Sequence, residues 1–318
     1  MSDHDEPKTS KSLPIFSVLL ILLGGMLFSC QKKPAAPLRV PDFDAGYAYR
    51  MLVKQVEFGP RVPGTRPHEL CLQFLEDSLK KYADKVVRQS FDYTVQKTGQ
   101  TVRLTNLIGS FGLKPGPRVL LAAHWDSRPW ADQDPDSANR NKPIPAANDG
   151  ASGVAVLLEI ARILKATPPA IGVDIVFFDG EDLGSSGYPE TYAAGSQYFA
   201  KHKDIHYNPF LGILLDMVGD KDLRIYKEVN SVRYAPAVVD VVWNYAARLN
   251  ISSFINETRH EISDDHVPLL KAGIPCIDLI DFDYPYWHTL EDTPDKCSPQ
   301  SLEKVGKVVL AVVYNPPT

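Results

Sequence analysis

Several short apolar runs in this chain end in a residue that can bind a metal or move a proton. Residues 119–123 lead into His124-Trp125-Asp126, residues 173–178 into Asp179-Gly180-Glu181-Asp182, and residues 211–215 into Asp216. Asp149 lies in Ala147-Asn148-Asp149-Gly150, a turn that opens a helical pattern near residue 151. His288 lies in Tyr286-Trp287-His288-Thr289, after the last apolar run. Singly, each has a plain structural reading. Asp149 suits the cap of the helix it precedes, an Asp after a strand suits a turn, Glu181-Asp182 suits a solvated loop, and His288 suits a surface or hydrogen-bonded histidine. Together they are expected to share one edge of a sheet, because the carboxyl ends of strands in open α/β sheets form the binding crevice. Catalytic zinc takes three protein ligands and keeps one position open. Asp149, Asp182 and His288 supply such a set, and Glu181 beside them is then free to act as a general base.

The elements that must position these residues follow from periodicity. The runs 118–123, 173–178, 211–215 and 276–280 are continuous rather than alternating, as in strands buried on both faces. Helical patterns lie at 151–164, 191–201, 232–249 and 265–272. Nearer the start, Asp42 is expected to cap a helix running to about residue 57, and a second helix spans 67–82. Strands at 86–94 and 101–110 flank the hairpin Lys97-Thr98-Gly99-Gln100. A last helix takes Ser298 as N-cap and Pro299 as first residue and runs to about 314. The expected fold class is α/β, with a mixed, largely parallel central sheet flanked by helices on both faces.

The 318 residues are 44% hydrophobic and 23% charged, ordinary for a globular protein. The balance of 34 basic against 39 acidic residues argues against a nucleic-acid partner. Residues 13–28 are nearly all apolar and are followed by Ser29-Cys30. A run of roughly 16 residues is short for crossing about 30 Å of hydrocarbon and suits the core of a signal peptide. Leu27-Phe28-Ser29-Cys30 resembles the bacterial lipoprotein processing box, in which Cys30 becomes the lipidated first residue. An uncleaved anchor is the other reading; both export the rest of the chain, with the periplasm as the expected side, and both tether it to a membrane. Residues 1–30 are therefore expected to be a leader or anchor, and 31–41, with three prolines, a spacer. Residues 42–318 are expected to form one catalytic domain, acting as a monomer. Cys71 and Cys276 read as core fillers, no C-x-x-C spacing exists for a metal, and the sequence establishes no disulfide.

His124-Trp125-Asp126, Asn148-Asp149-Gly150-Ala151-Ser152-Gly153, Phe177-Phe178-Asp179-Gly180-Glu181-Asp182 and Trp287-His288-Thr289 resemble the co-catalytic zinc aminopeptidase clan. Other features are similar to one branch of it, the glutaminyl cyclases. These are Gly59-Pro60-Arg61-Val62-Pro63-Gly64-Thr65, the insert between Glu181-Asp182 and Gly195-Ser196, Asp264-Asp265-His266-Val267-Pro268, and Trp287 directly before His288. The resemblance runs from about residue 45 to 315. It implies a zinc exopeptidase-like fold, with zinc held by Asp149, Asp182 and His288 and proton transfer by Glu181. It implies an acidic catalytic pair, Asp216 and Asp264, and an apolar substrate pocket of Trp287, Ile262 and Tyr284. The implied substrates are peptides or proteins with N-terminal Gln, whose α-amine attacks the side-chain amide to give pyroglutamate and ammonia. Two departures from the animal enzymes stand out. The insert after Asp182 has no Trp, leaving Tyr188 or Tyr192 for its place, and residue 278 is Asp where they have His. Two other readings remain open: a zinc aminopeptidase, with His124, Asp149 and Asp216 around a second metal, and a catalytically silent binding module. Because Asp216 is expected to pair with Asp264, two carboxylates sharing a proton, one zinc per chain is expected.

Overall fold

The continuous apolar runs become strands covered on both faces in the computed structural model, which describes residues 37–317. Cys30, the apolar segment 13–28 and residues 31–36 of the expected spacer lie outside the described residues. The strands are β1 (Lys85–Thr94), β2 (Thr101–Phe111), β3 (Arg118–His124), β4 (Gly172–Phe178), β5 (Leu211–Asp216), β6 (Ile225–Lys227), β7 (Phe254–Thr258) and β8 (Cys276–Ile280). The helices are α1 (Ala45–Glu57), α2 (Arg66–Tyr82), α3 (Ala151–Ala166), α4 (Ala194–His202), α5 (Val229–Tyr234), α6 (Pro236–Arg248), α7 (His266–Lys271) and α8 (Pro299–Tyr314). Six strands form one sheet in the order β1-β2-β4-β3-β5-β8. β1, β2 and β4 pair antiparallel, while β4, β3, β5 and β8 are parallel neighbours. The fold is thus the mixed α/β sandwich that the pattern implied.

The two-residue period of a strand sends alternate side chains to opposite faces. Val119, Leu121 and Ala123 of β3 enter one core with Val173, Ile175 and Phe177 of β4, packed under α1, α2, α3, α6 and α8. Leu120, Ala122, Val176 and Phe178 face the other way, against Phe199 of α4 and Leu269 of α7. The central helix α3 is apolar almost all round and almost wholly buried, as such helices are. A Cβ added at Gly153 would lie 2.1 Å from the Leu215 carbonyl oxygen, so only glycine lets α3 approach β5 this closely. That approach brings the loop carrying Asp149 beside the end of β5, where Asp216 sits.

Several boundaries differ from the sequence expectation. Asp44, not Asp42, caps α1, accepting from the Tyr47 N–H at 2.8 Å. The helix expected at 232–249 is two, α5 and α6, because Pro236 lacks an N–H and pushes Ala235 out of helical geometry. The helix expected from 191 begins at Ala194, since Pro189–Thr191 makes its own tight turn and Ala193 sits at φ 56°. Residues 38–41, expected as spacer, belong to the folded body: Arg39 exchanges backbone hydrogen bonds with the Asn315 side chain, at 3.0 Å each way. Cys71, Cys276 and Cys297 are buried and unpaired. Among the described residues, no helix is long and apolar enough to cross a membrane.

Candidate metal centre and its cleft

The parallel strands β3, β4 and β5 run out at one edge, and their exits carry the acidic and imidazole side chains. Asp149 arrives there from the turn before α3. The N-cap position of α3 is Gly150, at φ 94°, and no side chain caps the helix. A Cβ at Gly150 would come within 2.8 Å of the His124 ring. Asp292 accepts from the backbone N–H groups of Asn148 and Asp149, at 2.8 and 3.1 Å. Asp292 also accepts from the Tyr284 hydroxyl at 2.7 Å. Held this way, the Asp149 carboxylate turns away from the helix, and its Oδ2 is buried without a hydrogen-bond partner. The capping role that Asp149 would have in isolation is not the one it plays.

Asp182 and His288 complete a set with Asp149, and their ligand atoms all lie within 4.8 Å of one another. His288 Nε2 stands 3.4 Å from Asp149 Oδ2 and 3.3 Å from Asp182 Oδ1. A second set, His124, Asp149 and Asp216, shares Asp149. His124 Nε2 lies 3.1 Å from Asp149 Oδ1 and 3.2 Å from Asp216 Oδ1. Asp182 Oδ2, like Asp149 Oδ2, is buried and unpartnered. Leaving such oxygens dry and unpaired is costly, and a divalent cation between them removes that cost. The residues therefore fit a metal, and their oxygen and imidazole donors suit zinc.

The supports of this set are long-range. Asp126 accepts from the N–H groups of Glu181 and Asp182, at 3.1 and 3.2 Å, fixing the turn after β4. Arg61, wholly buried, donates to the carbonyls of Trp125, Pro145 and Ala146 and braces the loops on either side of His124 and Asp149. Arg128 donates to Asp182 Oδ1 at 3.0 Å and grips Asp132 with two bonds, of 2.8 and 2.6 Å. Asp132 in turn stands 3.4 Å from His288 Nδ1, aiming the imidazole from behind. His288 itself sits at φ 54°, a strained conformation for a residue other than glycine. Sequence reasoning missed Arg128, Asp132 and Asp292; the only local signal was an Arg four residues before an Asp. Partners of this kind typically govern affinity about 10–100-fold. Asp132→Ala is accordingly expected to weaken zinc binding by about that factor, read by competition with a chromogenic chelator. Unchanged affinity would remove Asp132 from the role.

The electrostatics are those of too many carboxylates in one dry place. Burial pushes Glu181 well above the usual carboxylate range, and the charges of Asp264 and Asp182 add to it. Asp149 is pushed up to about 7 by burial and then by Asp182. Burial would raise Asp182 as well, but His288 and Arg128 outweigh it and hold that group at about 2. Burial would depress His288, yet Asp182 and Asp132 lift it to about 9. Burial, then the neighbouring Asp216 charge, pushes Asp264 up to about 6. Behind Asp264 lie Asp265, His266 and Asp278, all buried, with both Asp265 and both Asp278 oxygens unpartnered. Burial and then the charge of Asp264 push Asp265 and Asp278 well above the usual range.

A cleft of about 260 Å³ opens over the metal set. Glu181, Asp182 and His288 lie in its wall with Ile262, Phe282 and Trp287. The Trp287 ring stacks on that of His288 with centroids 3.9 Å apart. The Ile262 loop is pinned by Glu228, which accepts from its N–H at 3.1 Å. Tyr284, expected in the pocket, is not in its lining: it is buried at 3% exposure and spends its hydroxyl on Asp292. Phe282 stands in the wall instead. Of the two tyrosines considered for the missing insert Trp, Tyr192 lines the cleft, whereas Tyr188 is outside it at 59% exposure.

Residues 106–313 match peptidase family M28. The chain is 29% identical to aminopeptidase YwaD of Bacillus subtilis over 74% of its length and half of that protein. It is 26% identical to the glutaminyl-peptide cyclotransferase of Gloydius blomhoffii, over 66% of this chain and 64% of that one. The chain thus spans between half and two thirds of these relatives. Among solved structures, the Bacteroides thetaiotaomicron glutaminyl cyclase bound to N-acetylhistamine is 40% identical with a TM-score of 0.85. That match covers 88% of this chain and all of the other.

Proposed function

The chain belongs to peptidase family M28, and on that premise we propose that it is a glutaminyl-peptide cyclotransferase, converting N-terminal Gln of peptides to pyroglutamate with release of ammonia. The observation that carries this reading is the small cleft in which Ile262, Phe282 and Trp287, stacked on the His288 imidazole, form an apolar wall in the same lining as Glu181. Such a cleft suits one short side chain folded back on its own amine. Likeness to the Bacteroides cyclase along the whole of that structure supports it.

Asp149, Asp182 and His288 would hold zinc, which when bound polarises the γ-carbonyl of the substrate Gln. The residues of the chain do the rest. Trp287, Ile262 and Phe282 hold the side chain in cyclising geometry, exchanging a search through rotamers for one bound conformer. Glu181 takes the proton that the α-ammonium must lose before its nitrogen attacks the amide carbon. Glu181 passes that first proton to solvent, takes the second from the same nitrogen as the ring C–N bond forms, and delivers it to the departing amide nitrogen as its C–N bond breaks and ammonia leaves. No water enters the balance. The test is ammonia release from a Gln-initiated peptide, set against the same peptide with its α-amine acetylated. Release from the free amine alone is expected; equal release from both would mean simple deamidation and would overturn the reading.

The aminopeptidase reading has in its favour the second set of His124, Asp149 and Asp216 and the likeness to aminopeptidase YwaD. We propose a single zinc nonetheless, because one cation on Asp149, Asp182 and His288 would supply all the carbonyl polarisation that cyclisation needs; the expected Asp216–Asp264 pair is not formed, Asp264 Oδ2 being buried without a hydrogen-bond partner. Metal analysis of the purified protein is expected to give one zinc per chain, and two fully occupied ions would contradict it. We also propose export and tethering through the segment ending at Cys30, on the composition of residues 13–30. Cys30→Ala is expected to move the protein from the membrane fraction; an unchanged distribution would refute lipidation there.

A further inference from the structure

We infer that the groove between α4 and α7 receives the residues that follow the N-terminal Gln, and that it favours acidic side chains there. The inference rests on the cyclisation reading and names the substrates that reading leaves open. If the Gln side chain fills the cleft, the peptide beyond it must leave through an opening in the cleft wall. Pro189, Tyr192, Ser263 and Asp264 line both the cleft and a second groove, of about 470 Å³, so the two hollows adjoin across these four residues. The second groove runs between the helices to Lys201, at the end of α4, and Lys271, at the end of α7. Both lysines are exposed, and neither has an ion-pair partner among the described residues. The acids along the groove are Glu190, on the exposed lip, and Asp264, buried at the junction with the cleft.

The charge pattern sets the preference. An extended chain advances roughly 3.3–3.6 Å per residue, so residues two to four of a substrate pass along this wall. Two unpaired ammonium groups there attract carboxylates and repel lysines, with strength screened by salt. Exposed pairs are individually weak, so two of them are expected to give roughly a 3–10-fold difference in KM between acidic and basic peptides. The contact is made equally before and during the chemistry, so KM should move and kcat should not.

The experiment uses the whole protein and three peptides, with Gln followed by two Glu, two Ala or two Lys. The expected order of KM is Glu below Ala below Lys, narrowing as salt rises. Lys201→Glu combined with Lys271→Glu is expected to reverse that order, and replacing both with Arg to keep it. Equal KM values for the three peptides, or an order that the double Glu variant leaves unchanged, would overturn the groove while leaving cyclisation standing. Failure to cyclise any of the three would sink the functional reading and the groove with it.

Discussion

Glu181→Gln is expected to lower the rate of Gln cyclisation by about 10²–10⁴-fold while the zinc content stays that of the parent protein. The change keeps the size and shape of the side chain and leaves Asp149, Asp182 and His288 in place. The turn that carries it is held through backbone N–H groups by Asp126, which the substitution does not touch. What disappears is the ability to take protons from the attacking α-nitrogen and to deliver one to the leaving nitrogen. At about 1.36 kcal/mol per decade, the loss corresponds to roughly 3–5 kcal/mol of transition-state stabilisation. Steady-state kinetics together with metal analysis of the same preparation check it. Activity within a few-fold of the parent would remove Glu181 from the mechanism, whatever its place in the cleft.

Asp149→Asn is expected to have the largest effect on the metal itself. Asp149 is common to the two sets that meet at the strand ends, and its Oδ2 is buried and free to ligate. The amide has the same outline but a weaker donor oxygen and no charge. Zinc binding should be lost at concentrations that saturate the parent, and cyclisation with it. A ligand that binds only the folded state stabilises it by about 2.7 kcal/mol at one hundred times its Kd. The parent should therefore show a zinc-dependent rise in Tm, and Asp149→Asn should show none. In the absence of zinc the variant should be no less stable than the parent, because it removes a carboxylate that burial and Asp182 both disfavour. A variant that retains zinc and its Tm rise would show that Asp149 is not a ligand.

The legible and illegible parts of this protein differ in range along the chain. β8, at Cys276–Ile280, coincides with its continuous apolar run, and Ser298 caps α8 where the Ser-Pro signal placed it. The conjunction of Asp149, Asp182 and His288 is legible because Asp182 follows one apolar run, His288 lies in the loop after the last, and Asp149 opens the helix between two of them, and parallel strands bring such exits to one edge. The short pair β6 and β7 was not legible. β6 is three residues long, and β7 is mostly exposed, so neither has an apolar run to mark it. The supports were invisible for a different reason. Asp292 reaches Asp149 across 143 residues of sequence, and Arg128 reaches Asp182 across 54. No local pattern encodes such contacts. Tyr284 was misplaced on the same account: it was assigned to the pocket by resemblance, whereas its hydroxyl is committed to Asp292 beneath the pocket.

The cleft is proposed to cyclise an N-terminal Gln rather than to cleave the bond that follows it. Mass spectrometry of two matched peptides, one beginning with Gln and one with Leu, tests this most directly. The Gln peptide is expected to lose one ammonia with its length intact and the Leu peptide to be unchanged. Release of free Leu or free Gln from either peptide, with no loss of ammonia, would contradict it.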